Sequence, residues 1–144
     1  MTGDCYVGTD FAAFTATPTI DFGSAHLYPD SWGSRKGVAW GVDWVRNHTA
    51  IAHALGKPML LGEFGLKGGQ AAAYAAWGAA WLGSGLNGDL FWMLCGRQDY
   101  DQPWYPDYDG FCVYCRNATD PAPPGGDAGS CAALAAHADA MRAA

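Results

Sequence analysis

The sequence predicts an α/β fold built from parallel βα units, and two observations carry this prediction. Segments with strand-like and helical patterns alternate along the chain, which is typical of parallel strands joined by helices. Two of the predicted strands, residues 59–62 and 89–94, are short and largely apolar, as parallel strands buried on both faces are. The first predicted strand, residues 20–28, alternates between apolar and polar positions instead.

The first half of the chain contains two predicted helices around this first strand. Residues 8–17 form a short helix or turn that Pro18 ends, and the strand that follows stops at Pro29. A polar loop leads to a helix over residues 38–55, whose apolar side chains share one face. Gly56 is placed to cap the C-terminus of this helix, with a proline two residues later.

The second half continues the alternation and then becomes irregular. A helix over Gln70–Leu82 carries three large aromatic residues at positions i, i+3 and i+7. After the third strand, residues 96–110 form a long loop rich in Asp, Tyr, Pro and Trp, and residues 111–114 have a strand pattern. A Pro/Gly loop over residues 120–129 precedes a last Ala-rich helix, for which Ser130 is the expected N-cap.

Length and charge limit the number of domains and the kind of partner. A chain of 144 residues is long enough for one ordinary domain. Its net charge of -6 disfavours nucleic acid and anionic membranes as partners, because both attract basic surfaces. No apolar run is long enough to span a membrane. The 7 Trp and 7 Tyr residues fit a Trp-rich core or stacking platforms for sugar rings, and composition leaves both open.

The chain has five cysteines, of which four can pair in an oxidising compartment and leave one over. Cys112 and Cys115 have CxxC spacing, but a zinc site needs a second pair at comparable spacing. A redox CxxC normally opens a helix, whereas the surrounding residues have a strand pattern. We therefore expect disulfides or free thiols here, and neither a metal nor a cofactor.

Glu63, the only glutamate in the chain, lies where an apolar strand meets a Gly-containing loop. In βα-barrel enzymes, catalytic groups lie at the C-terminal ends of the strands. A carboxylate at such a position is costly to bury without a partner or a purpose. Glu63 is therefore a candidate catalytic residue, with a helix N-cap or a structural ion pair as the alternative.

Polar and aromatic side chains also mark the ends of the other two strands. His26 and Tyr28 alternate and so point to the same side. One interpretation has Tyr28 donating a hydrogen bond to Glu63 and His26 contacting sugar hydroxyls, and the other has two half-buried polar residues at a rim. Trp92, in the third strand, is either part of the core or a stacking platform.

Several segments resemble the endo-β-1,4-mannanases of glycoside hydrolase family 5. Residues 20–32, which include the pattern H-x-Y-P-D-x-W, resemble the motif of their sixth strand. Residues 56–65, with the pattern K-P-x-L-L-x-E-F-G, resemble the seventh strand that carries the nucleophile. Residues 89–92 and 108–111 resemble the eighth strand and a segment soon after it, and the likeness extends over about residues 8–115.

The resemblance implies a fold, a reaction and a set of roles. Residues 1–144 would form the C-terminal portion, strands six to eight, of a (β/α)8 TIM barrel that is incomplete in this chain. The whole barrel would cleave mannan-type polysaccharide with retention. Glu63 would be the nucleophile, and Tyr28 would orient it and help to keep it ionised. His26 would bind substrate near the cleaved bond, Trp92 would stack under a sugar and Trp32 would line the cleft.

The second catalytic carboxyl of this family is not found in the sequence. It lies in an Asn-Glu pair three βα units before the nucleophile, or about 90 residues upstream at roughly 30 residues per unit. Only 62 residues precede Glu63, none of them Glu, and a whole barrel typically has about 250 residues. We therefore expect a fragment of a secreted enzyme that is inactive alone, and the absence of signal-peptide features at Met1 agrees with this.

Two alternatives stay open at this point. The parent enzyme could be another family 5 glycanase, such as a β-glucanase, because part of the specificity lies outside these segments. The chain could also be a non-catalytic, glycan-binding remnant that keeps Trp32 and Trp92, and the lack of a second Glu favours that for these 144 residues.

Overall fold

A computed structural model describes residues 9–32, 36–97, 102–125 and 128–144 of the chain. Four helices and five strands occupy these ranges, and α/β alternation with parallel strands is confirmed. In chain order the elements are α1 (Phe11–Thr15), β1 (Gly23–Leu27), α2 (Val38–Ala54), β2 (Met59–Phe64), α3 (Gln70–Leu82), β3 (Gly88–Phe91), β4 (Leu94–Cys95), β5 (Val113–Tyr114) and α4 (Ala128–Ala143).

The three longer strands form one parallel sheet in the order β1-β2-β3. Gly23 pairs with Met59 at the start of the β1–β2 ladder, and His26 pairs with Glu63 near its end after a register shift. Phe64 pairs with Phe91 across the other ladder. Because the strands are parallel, their C-terminal ends lie along one edge of the sheet, and the residues that follow them meet there.

One face of this sheet is covered by helices and holds the main core. The predicted aromatic residues of α3, Tyr74, Trp77 and Trp81, are all buried. Each packs edge-on against Phe64 of β2, with ring centroids 5.2–6.0 Å apart. The indole N–H of Trp77 also donates to the Val38 carbonyl at 2.8 Å and so ties α3 to the start of α2.

The predicted strand over residues 89–94 is wrong in its length and its burial. The strand ends at Phe91, and Leu90 and Leu94 are 57% and 59% exposed. The break arises because the backbone of Met93 bonds to the segment 111–113 rather than to β2, donating to the Phe111 carbonyl and accepting from the Val113 N–H. The pattern predicted at 111–114 is confirmed for β5, which pairs with β4 in a separate two-stranded sheet.

Three other boundaries differ from those predicted. β1 begins at Gly23 because the Ile20 N–H bonds back to the Thr17 carbonyl in a turn. β2 extends beyond 59–62 to include Glu63. α4 begins at Ala128, so Ser130 lies within the helix rather than at its cap.

Disulfides and a buried polar pair attach the C-terminal half to the sheet. Cys95 bonds to Cys112 and Cys115 to Cys131, so the two cysteines of the CxxC segment bond to different partners. The fifth cysteine, Cys5, lies outside the described residues. His137 of α4 meets Asp89 of β3 with Nε2 and Oδ2 2.7 Å apart. Within the described ranges, no helix is both long and apolar enough to cross a membrane.

Candidate active site

The centre of the candidate site is a hydrogen bond between residues at the ends of neighbouring strands. The hydroxyl of Tyr28, directly after β1, donates to Oε2 of Glu63 in β2 at 2.5 Å. Parallel pairing brings the two together, because Leu27 and Phe64 are register partners beside them. The structure thus brings together the two residues that the sequence singles out, and at the predicted edge of the sheet.

Tyr28 is held in its protonated form. Burial raises the pKa of its hydroxyl far above the usual value, and the hydrogen bond to Glu63 and the negative charges of Glu63 and Asp109 raise the pKa further. The phenol therefore stays a donor through neutral and moderately alkaline pH. The carboxylate of Glu63 in turn has a fixed partner for one of its oxygens.

His26 approaches the same carboxylate oxygen from the β1 side. Its Nδ1 lies 3.3 Å from Glu63 Oε2, and the two side chains are 50% and 33% exposed. The imidazole lies over Gly62, where an added Cβ would come within 2.7 Å of Ser24 Oγ and 3.0 Å of His26 Nε2. The lack of a side chain at Gly62 is what gives the imidazole room in this position.

Trp92 follows β3 at the same edge and is half-buried. Its backbone N–H donates to the Phe64 carbonyl at 2.8 Å, and its indole N–H donates to Oδ2 of Asp109 at 2.8 Å. The other oxygen of Asp109 accepts from the Phe111 N–H at 3.1 Å. Sequence reasoning missed Asp109, although it lies in the 108–111 segment that resembles the mannanases.

Phe111 closes the site from behind. Its ring packs edge-on against Tyr28 with centroids 5.1 Å apart. Both rings and the Trp92 carbonyl converge on Gly65, where an added Cβ would lie 2.8 Å from Phe111 Cδ1 and 3.1 Å from Tyr28 Cε1. Gly65 is therefore required by close approach, at the point where the three strand ends meet.

Trp32 lies in a different environment. Its ring contacts Trp40 and Trp44 of α2, with centroids 6.1 Å and 5.7 Å apart, and it is 36% exposed. The described contacts of Trp32 are thus with an outer helix rather than with Glu63, and a place in the cleft stays a prediction. A second contact missed at the sequence level links the same loop to the site, because Asp30 Oδ2 accepts from the Lys67 N–H at 2.7 Å.

This arrangement suits nucleophilic chemistry. Glu63 is partly open to solvent, one of its oxygens is held by a phenol and an imidazole, and aromatic side chains lie on both neighbouring strand ends. A carboxylate so placed can attack an electrophilic carbon. Retaining glycosidases use such a carboxylate with a second carboxyl about 5–5.5 Å away.

The sequence of the chain is similar to those of known mannan endo-1,4-beta-mannosidases. The chain is 44% identical over 88 residues to mannan endo-1,4-beta-mannosidase F of Aspergillus fumigatus, covering 61% of this chain and 20% of that protein. It is 36% identical over 115 residues to mannan endo-1,4-beta-mannosidase A of Hypocrea jecorina, covering 74% of this chain and 26% of that protein. The resemblance to endo-β-1,4-mannanases is confirmed. No family model matches the sequence.

The fold of the chain is also similar to part of the solved structures of endo-β-1,4-mannanases. The enzyme from Thermotoga petrophila superimposes with a TM-score of 0.76 at 31% identity, over 93% of this chain and 29% of that one. The enzyme from Rhizomucor miehei gives a TM-score of 0.72 at 30% identity, over 95% of this chain and 34% of that one. The chain spans about a fifth to a third of the length of these relatives.

Proposed function

We propose that residues 1–144 are the C-terminal part of the catalytic domain of a mannan endo-1,4-β-mannosidase, which cleaves β-1,4-mannosidic bonds with retention. One observation carries the proposal: Tyr28 donates to Glu63 at 2.5 Å at the ends of neighbouring parallel strands. The names of the relatives and of the superimposed enzymes support mannan as the substrate.

In the proposed reaction, Glu63 is the nucleophile. One carboxylate oxygen attacks the anomeric carbon, the bond to the leaving sugar oxygen breaks, and a glycosyl ester of Glu63 forms. Water then attacks the same carbon, and the ester bond to Glu63 breaks to release the sugar with its original configuration. Tyr28 donates to Oε2 throughout, so Oε1 is the oxygen free of this hydrogen bond for the attack.

The neighbouring residues then have distinct roles. His26 lies beside Glu63 and half exposed, where its imidazole binds sugar hydroxyls near the cleaved bond. Trp92 presents a half-buried indole for stacking under a sugar ring. For Trp32 we propose a more distant contact with the polysaccharide, because this residue lies in the loop after β1 and its side chain is partly exposed.

A second carboxyl must protonate the leaving oxygen and later activate water. Glu63 is the only glutamate of the chain, and Asp109 is engaged by the N–H groups of Trp92 and Phe111. We place the acid/base in strands that these 144 residues do not contain, and we expect the chain alone to bind sugar without turning over mannan. Two disulfides within the described residues favour an oxidising, extracellular location.

The nucleophile can be tested without the acid/base. A 2-deoxy-2-fluoro-β-mannoside with a dinitrophenolate leaving group needs no protonation to depart, so it should esterify Glu63 in this chain as it stands. Intact mass should rise by one fluoromannosyl group, and peptide mapping should place that group on Glu63. Glu63→Gln should stay unmodified, and Asp139→Asn, which changes an exposed carboxylate of α4, should label normally.

Each alternative predicts a different result. Faster labelling by the matched fluoroglucoside than by the fluoromannoside would favour a β-glucanase. Binding of mannohexaose with no labelling by either reagent would favour a non-catalytic remnant. Labelling at a residue other than Glu63 would overturn the proposed nucleophile.

A further inference from the structure

The carboxylate of Asp109 accepts hydrogen bonds from two residues of the candidate site, Trp92 and Phe111. One oxygen accepts from the indole N–H of Trp92 at 2.8 Å, and the other accepts from the backbone N–H of Phe111 at 3.1 Å. Trp92 and Asp109 are 17 residues apart, so the chain leaves the end of β3 and folds back upon it. Both contacts lie outside the helices and the longer sheet.

We propose that Asp109 is a positioning residue that fixes the orientation of the Trp92 indole at the sugar-binding edge. This inference rests on the proposed function, in which Trp92 is the stacking platform. The indole has a single N–H donor, and tethering that one edge holds the ring while leaving its faces open. A carboxylate is a stronger acceptor for this purpose than a neutral group.

The benefit of such a tether is preorganisation. A half-buried indole without a partner for its N–H is freer to change rotamer, and binding must then order it. With Asp109 in place, the ring is ordered before the sugar arrives. The expected consequence is tighter binding of a manno-oligosaccharide with no new contact to the sugar from Asp109 itself.

Asp109 also lies near the Tyr28 side of the site, where its effect is on the donor to Glu63 and not on the stacking of a sugar. Its Oδ1 holds the backbone of Phe111, whose ring packs against Tyr28. Its negative charge adds to the effects of burial and of Glu63 that raise the pKa of Tyr28. A single carboxylate thereby links the aromatic platform and the donor to the nucleophile.

Two acceptor oxygens distinguish aspartate from asparagine at this position. Aspartate accepts from both N–H groups, whereas an asparagine has one acceptor oxygen and turns its amide NH₂ towards the other donor. Asp109→Asn should therefore keep one contact and lose the other. Asp109→Ala should lose both, so the two variants form a graded series.

The experiment follows the Trp92 indole and the binding of mannohexaose together. Hydrogen exchange of the indole N–H is read by NMR, with the signal assigned from its loss in Trp92→Phe. In Asp109→Ala we expect exchange at least tenfold faster and affinity for mannohexaose about tenfold lower, as for a lost hydrogen bond to a charged group. Asp139→Ala, an exposed acid paired with Arg142 on α4, is the charge-matched control and should change neither.

A double variant separates positioning from general damage to the fold. If Asp109 acts through Trp92, then Trp92→Phe with Asp109→Ala should bind mannohexaose no more weakly than Trp92→Phe alone. Unchanged indole exchange in Asp109→Ala, or additive losses in the double variant, would overturn the inference. If the unaltered chain binds no mannohexaose, the proposed sugar site fails instead, and the indole exchange still decides whether Asp109 holds Trp92.

Discussion

The hydroxyl of Tyr28 donates to Oε2 of Glu63 at 2.5 Å, across the ends of two neighbouring parallel strands. The edge contact of its ring with Phe111 does not involve the hydroxyl. Removing the oxygen therefore removes one directed hydrogen bond while leaving the packing in place. This separation makes Tyr28 the most direct test of how the proposed nucleophile is held.

Tyr28→Phe should slow the esterification of Glu63 by the activated fluoromannoside by about tenfold or more, the effect of losing a hydrogen bond to a charged group. The carboxylate loses its orienting donor, so fewer encounters place its oxygen in line with the anomeric carbon. The rate is measured by intact mass against time. Tyr105→Phe removes a hydroxyl from a side chain that is 37% exposed and whose ring contacts Tyr108 rather than Tyr28, so it should label at the normal rate. Equal rates in Tyr28→Phe and the unaltered chain would exclude the orienting role.

Tyrosine ionisation should be delayed in the folded chain. The pKa of Tyr28 is raised by burial and by Glu63, and burial raises the pKa of Tyr74 to about 12. Both values lie above the usual value of about 10 for an unfolded chain. The neutral phenols therefore contribute to stability fully below about pH 10, and this contribution is lost progressively as the pH rises beyond it.

An absorbance titration of tyrosinate at alkaline pH measures this delay. Part of the signal should be missing near pH 10 in the folded protein and should appear there in guanidinium chloride. Tyr28→Phe and Tyr74→Phe should each reduce the delayed fraction by one tyrosine. A folded-state titration that coincides with the unfolded one would contradict the burial of both hydroxyls.

Local patterns determined how much of this molecule could be predicted from sequence. Helix α3 was predicted with its observed bounds because its aromatic residues follow the helical period. The contact between Tyr28 and Glu63 could be expected because parallel strands end at one edge. The break after Phe91 and the role of Asp109 could not, since both depend on a loop that folds back with no periodic pattern. The side to which Trp32 turns depends on packing against α2, which its own motif does not specify.

The two disulfides offer a comparison in which loop length is nearly the same. Cys95–Cys112 and Cys115–Cys131 span 17 and 16 residues, so loop entropy predicts a similar loss of stability of about 3 kcal/mol when either is removed. Only the first joins the segment just after Trp92 to the residue that follows Phe111, and so closes the loop that carries Asp109. Denaturant unfolding of the two double-alanine variants should therefore give similar free energies.

The two double-alanine variants should differ in the rate at which Glu63 is labelled and in the hydrogen exchange of the Trp92 indole. Both should change when Cys95 and Cys112 are replaced by alanine, because the segment from Trp92 to Phe111 loses its covalent tie. Both should remain near normal when Cys115 and Cys131 are replaced, since that bond joins the residue after β5 to α4. Equal effects of the two replacements on labelling would contradict a specific link to the site.

Gly65→Ala should disturb the junction of the three strand ends. The new Cβ would lie 2.8 Å from both Phe111 Cδ1 and the Trp92 carbonyl oxygen, and the backbone oxygen cannot rotate away. Overpacking of this kind typically costs about 1–3 kcal/mol, and here it should also slow the labelling of Glu63. Gly68→Ala is the matched control, because an added Cβ there has no atom within 4 Å. Thermal or denaturant unfolding of both variants measures the difference, and equal stabilities would show that the junction is looser than described.

The chain should discriminate sharply between leaving groups. The dinitrophenolate group of the activated fluoromannoside departs without protonation, so we expect the proposed nucleophile Glu63 to suffice for ester formation. A natural mannosidic bond releases a sugar oxygen that requires a general acid, and lack of that group typically lowers the rate by about 10²–10⁴. Since Glu63 is the only glutamate and is the proposed nucleophile, we expect labelling by the activated reagent and no measurable cleavage of soluble galactomannan. Reducing-end release and polymer viscosity are measured over days, with Glu63→Gln as the blank for contaminating enzyme. Cleavage above that blank would show that a group within the chain protonates the leaving oxygen. Asp109→Asn would then be the first variant to examine, because Asp109 is the carboxylate described beside Trp92 and near Tyr28.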